Sequence, residues 1–147
     1  MPLIRLRKYV DYITGILKEV IPDIEVIALR VPTTEPTMPY ALIKADPLTS
    51  PEDGGPIWDS FWHRYMILVV REIPDEETDL AQLIEDEVNE LVNRFEKDPH
   101  IDIGDEGFYG QFPTVTKVWV DQEEAEENEY AYALLFTFLQ ESSRGNV

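Results

Sequence analysis

The chain has 147 residues, 44% of them hydrophobic, and no cysteine. This suits one folded domain with a single core, and it excludes a disulfide framework, a thiol nucleophile and a cysteine-ligated metal. Thirty acidic residues oppose twelve basic ones, for a formal charge of -18, and such a surface repels nucleic acid and argues against a sequence-reading DNA binder. Two readings of the acidity stay open: an adaptation to high salt, where self-repulsion is screened, or a functional field that keeps DNA from sticking.

In chain order, residues 3–20 read as an amphipathic helix. Leu3, Leu6, Tyr9, Val10, Ile13, Ile16, Leu17 and Val20 cover one half of the wheel, and Pro22 ends it. Arg5, Arg7 and Lys8 form a basic cluster on its first turns, where they oppose the helix dipole. They are either a solvated face or a docking patch for an acidic neighbour, including another copy of the chain. Residues 24–31, IEVIALRV, are apolar on both sides and read as a buried strand. A Pro-rich segment follows, then a short strand over 40–45, YALIKA. The loop 46–57 holds three prolines and a Gly-Gly pair, and is long enough to suggest a functional role.

Residues 59–73, DSFWHRYMILVVREI, read as a central strand. Trp62, Arg64, Met66, Leu68 and Val70 share one face, and Phe61, His63, Tyr65, Ile67 and Val69 the other. The second half is apolar on both faces, as a central strand requires; the mixed first half suggests an exposed extension. The clearest element is 78–97, TDLAQLIEDEVNELVNRFEK. Leu80, Ala81, Ile84, Val88, Leu91, Val92 and Phe95 make one stripe. N-cap candidates precede it and Asp98-Pro99 stops it. Glu90 and Arg94 have the spacing of a helical ion pair. Leu83 lies off the stripe beside Glu87, either as a stray surface leucine or as a contact with another subunit.

Residues 99–113 read as irregular, with Phe108 and Tyr109 as an aromatic loop tip between glycines. Strands over 114–120 and 130–141 should pair as an antiparallel hairpin, joined by an acidic tip over 121–129. Tyr130, Tyr132, Leu134, Phe136 and Phe138 share one face of the last strand. The order is α-β-β-β-α-β-β: an α+β domain over 1–141, with a single mixed or antiparallel sheet of about five strands packed on two amphipathic helices. A polar tail, 142–147, follows.

Support for catalysis is slight. The sequence has no Gly-x-Ser-x-Gly, no phosphate-cradling glycine loop and no His-Glu-x-x-His. His63 and His100 read as packed or surface residues. IDIGDEG lacks the alternating ligands and closing glutamate of an EF-hand loop. No catalytic, cofactor or metal residue is expected. No run approaches a membrane span, and the start MPLIRLRKYVDYITG is too often interrupted by charge for a signal peptide. A soluble protein without an export signal or a membrane partner is expected.

The succession of an N-terminal amphipathic helix, a strand, MPYALIKA, a long loop, FWHRYMILVV, the helix DEETDLAQLIEDEVNELV and a closing hairpin of TVTKVWV and YAYALLFTFLQE resembles the tail terminator proteins of long-tailed phages and related head-tail viruses. The likeness covers almost the whole chain and is architectural. It implies a non-enzymatic virion protein, assembled in the host cytoplasm as a ring, usually of six copies, at the head-proximal end of the tail tube. Such a ring ends tube growth and joins a tail tube protein to a neck or head connector protein. Genomic DNA passes through its hole without being gripped. Under this reading Ile57, Trp58, Leu83, Phe108 and Tyr109, with Arg5, Arg7 and Lys8, are candidate ring or neck contacts. Glu123, Glu124, Glu126, Glu127 and Glu129 are candidates for the lumen or rim, or else a solvated turn. Another neck-completion protein, an acidic DNA mimic and a small α+β ligand-binding domain are the alternatives.

Overall fold

A computed structural model describes residues 4–46, 58–75, 78–121 and 129–143. The elements run α1 (Leu6–Val20), β1 (Glu25–Ala28), β2 (Tyr40–Ala45), β3 (Trp58–Glu72), α2 (Leu80–Glu96), β4 (His100–Asp102), β5 (Phe108–Asp121) and β6 (Glu129–Ser143). The strands form one six-stranded sheet in the order β1-β2-β3-β6-β5-β4. Only β1 and β2 pair in parallel, so the sheet is mixed. The α+β class, the two helices and the closing β5–β6 hairpin agree with the sequence reading, and the sheet has one strand more than expected.

The middle of the sheet follows from alternation. β3 and β6 pair from Trp58↔Ser143 to Glu72↔Glu129. Tyr130, Tyr132, Leu134, Phe136 and Phe138 of β6 and His63, Tyr65, Ile67 and Val69 of β3 are buried on one face. Both helices cover that face. From α1, Tyr9 meets Phe138 with ring centroids 4.5 Å apart, and from α2, Phe95 meets Phe136 at 4.7 Å. Each such aromatic removes well over a hundred square ångströms of apolar surface from water, enough to fix the helices to the sheet. On the opposite face Trp62, Met66, Leu68, Ala133 and Leu135 are half-buried.

The helix ends have local causes. Asp79 caps α2 by accepting from the Gln82 amide at 3.2 Å, which satisfies one orphan donor of the first turn. At the end of α1 the Ile21 amide donates to the Leu17 carbonyl at 2.8 Å, and Pro22 follows. Arg94 does not pair within its helix with Glu90; it reaches Glu19 of α1 and ties the two helices together.

The edges depart from the sequence reading. β1 is not a buried strand over 24–31. It is four residues long and lies at the sheet margin, because Leu29 turns into left-handed backbone at φ 58. Residues 99–113 are not irregular: β4 pairs with the start of β5, and Phe108 and Tyr109 belong to that strand. β5 accommodates Pro113 through register shifts between Gln111 and Thr114 and between Val115 and Lys117, since proline enters a sheet at a bulge. Gly110 lets the strands approach closely there: a Cβ would lie 3.0 Å from the Phe138 ring and 3.1 Å from the Ile101 side chain, so a larger residue would press both aside. The first half of β3 is less exposed than expected, with His63 fully buried. β6 runs through Ser143, and Ser142 is buried, so the polar tail does not begin at 142.

Candidate functional site

The expected contact residues divide into those used inside the chain and those at its surface. The Arg5 Nε donates to Asp105 Oδ2 at 2.8 Å, Lys8 lies 3.7 Å from the same carboxylate, and the Arg5 guanidinium sits 4.2 Å over the Phe108 ring. This arrangement pins the start of α1 to the β4–β5 turn, so Arg5 is not a free docking cation. Phe108 is buried, and Tyr109 donates its hydroxyl to Glu141 at 3.3 Å on the open face; neither forms a loop tip. Leu83 is half-buried and packs on the core. Arg7 remains exposed. Glu129 opens β6 opposite Glu72, a like-charge pair that weakens that end of the ladder unless salt screens it. Ile57, Glu123, Glu124, Glu126, Glu127 and the side chain of Trp58 lie outside the described residues.

Two buried polar clusters were missed. The first is centred on Glu87 of α2, which is only 7% exposed. Its Oε2 accepts from Arg71 at 2.8 Å and from the Tyr130 hydroxyl at 3.1 Å, and its Oε1 accepts from Tyr132 at 2.7 Å. Burial and the neighbouring carboxylate push the Tyr130 hydroxyl up to about 12 and Tyr132 higher still, so both stay protonated donors. The sequence carried a faint signal: Glu87, read as lying beside Leu83 off the stripe, stands seven after Leu80 and four before Leu91, which puts it at the edge of the apolar side, where it is buried.

The second lies under α1. His63 is fully buried. Its Nδ1 is 2.9 Å from the Tyr65 hydroxyl and its Nε2 is 3.0 Å from Gln140 Oε1. Gln140 Oε1 can only accept, so Nε2 carries the proton and Tyr65 donates to Nδ1. The ring stacks on Phe138 at 5.0 Å. Burial lowers its pKa to about 4, against a smaller opposing effect of the Gln140 bond. Tyr9 packs on the same histidine at 4.9 Å, and its buried hydroxyl has no hydrogen-bond partner among the described residues. With both ring nitrogens engaged and the imidazole neutral, this cluster organises packing and has no proton placed to move.

Clefts open at several places among the described residues. A cavity of about 710 Å³ at the β4–β5 turn is lined by His100, Asp102, Asp105, Glu106 and Tyr109. A groove of about 510 Å³ between α1 and β1 has an apolar floor including Val10 and Val26, with Arg7, Lys18 and Arg30 around it and Asp11 among them. A third, of about 290 Å³, lies between α2 and Val120 of β5. Among the described residues, no group of three or more histidines and carboxylates is placed to hold a metal ion, and no helix is long and apolar enough to cross a membrane. No family model matches the sequence, and no curated protein matches it.

Proposed function

We propose that this chain is a structural virion protein, a tail terminator. Its copies close into a ring, in all six, at the head-proximal end of a tail tube. The ring stops tube growth, joins the tube protein to a neck or head connector protein, and lets genomic DNA through without binding it. The observation that carries the reading is the architecture: two helices on one face of a single mixed sheet, in nearly the element order that the resemblance implies. The half-exposed apolar face bearing Trp62, Met66, Leu68 and Leu135 suits a part that stacks on a neighbour. The charge of -18 suits a lumen through which a polyanion slides, because DNA carries one charge per roughly 1.7 Å of axis and a carboxylate wall offers it no sticking point.

The test is placement. Gold-labelled antibodies against the chain, applied to intact particles under the electron microscope, should mark the junction of head and tail. Label on the capsid shell or the distal tail tip, or none on the particle, would overturn the proposal.

A further inference from the structure

We propose that the ring contact is edge to edge: the α1–β1 groove of one subunit receives the β4 margin of the next. The contact rests on the ring reading above and specifies which surfaces make it.

Three observations converge on these margins. β1 and β4 are the terminal strands of the sheet, each with a single neighbour, and open edges call for cover. Among the described residues, two non-glycine residues adopt left-handed backbone: Leu29 (φ 58), just past β1, and Phe112 (φ 56), just past the stretch of β5 that β4 covers. Bulky residues rarely hold that conformation without a return elsewhere. Both are exposed, Leu29 at 44% and Phe112 at 63%, and Val31, two residues after Leu29, reaches 83%. Each margin thus holds an apolar side chain in water through strained backbone, at opposite ends of one sheet.

Charge selects the occupant. The groove at the β1 margin is lined by Arg7, Lys18 and Arg30 against one carboxylate, Asp11, a net positive patch on a strongly acidic chain. The β4 margin carries Asp102 and Glu106, both exposed, while Asp105 is taken up by Arg5 and Lys8. Opposite signs on two margins of the same molecule fit a second copy of this chain. Because the two surfaces differ, the contact is heterologous: each subunit repeats it with the same rotation, which gives a ring when that rotation divides a full turn and an open filament when it does not, and the ring reading requires the first. Like-signed margins would instead have repelled or paired about a twofold axis.

The chain has no cysteine, so a reactive pair can be introduced cleanly. Val31→Cys and His100→Cys, exposed beside the charged groups, are made in one full-length chain and treated with a short bis-maleimide at about 0.15 M and about 1 M salt. The expected product is a ladder of dimers, trimers and higher species ending in a closed ring, whereas either substitution alone stops at a dimer. Independently, Arg30→Glu and Glu106→Arg should each weaken assembly about tenfold, and the two together should restore most of it, because the reversed charges again oppose each other. If the wild type forms rings and the double-cysteine chain links no further than the single variants, the contact is wrong and the ring reading stands. If the wild type stays monomeric at both salt concentrations and no ladder forms, both fall.

Discussion

Two polar clusters are buried beneath the two helices, and they are built on opposite principles. Under α2, Glu87 is saturated by one guanidinium and two tyrosine hydroxyls. Under α1, His63 is neutral and held by neutral partners, while the Tyr9 hydroxyl beside it has none among the described residues. The ionic cluster ties α2 to β3 and β6 by directed charge-assisted bonds, and these penalise any shift of the helix along the sheet. The neutral cluster relies on stacked rings and tolerates an unsatisfied atom. One helix is located by bonds, the other by shape.

The largest break in this contrast is Glu87→Ala. It leaves Arg71 half-buried without its carboxylate and two tyrosine hydroxyls without an acceptor, so unfolding free energy should fall by about 3 kcal/mol, read as a lower urea midpoint. An unchanged midpoint would mean that the cluster does not position α2.

Acid should act on the other cluster through His63. Unfolded, His63 titrates near 6.5, and folded, at about 4. Between these values the unfolded chain holds a proton that the folded one excludes. The stability this group contributes is therefore whole above 6.5, is lost as pH falls toward 4, and levels off below. Across that window the loss is on the order of 3 kcal/mol. His63→Gln should flatten that part of the stability profile relative to wild type, as urea titrations between neutral pH and about pH 5 would show.

A matched substitution sharpens the comparison further. Tyr132→Phe removes a hydroxyl bonded to a carboxylate and should cost about 2 kcal/mol. Tyr9→Phe removes one without a described partner and should be neutral or stabilising by up to about 1 kcal/mol. Thermal melts should therefore show a loss for Tyr132→Phe and none for Tyr9→Phe, and equal losses would remove the distinction. Smallest of all, Leu29→Gly relieves left-handed backbone at an exposed position and should change stability by less than about 1 kcal/mol. It should nonetheless weaken self-association, measured by sedimentation.

The sequence revealed the middle of the molecule and hid its margins, for physical reasons. Tyr130 to Phe138 alternate because one face of β6 is buried along its length, and Ile84, Val88, Leu91 and Phe95 recur at the helical period because α2 lies flat on that face. Long elements average out their exceptions. β1 and β4 have four and three residues, too few for a period to emerge. The start of β5 looks like a loop because Gly110 stands at a close packing contact and Pro113 at a bulge. The clusters were hidden differently: a partner such as Arg71 for Glu87 is set by the fold and leaves no mark in the spacing of either residue. Arg5 was visible as a cation, but nothing in the sequence places Asp105 beneath it.

The most direct measurement of the central claim is the shape of the purified wild-type assembly under the electron microscope, with its mass in solution. A closed annulus with a central hole, of roughly 100 kDa for six copies of the 17.0 kDa chain, is the predicted result. A twofold-symmetric dimer, or a solitary subunit at every salt concentration, would contradict it.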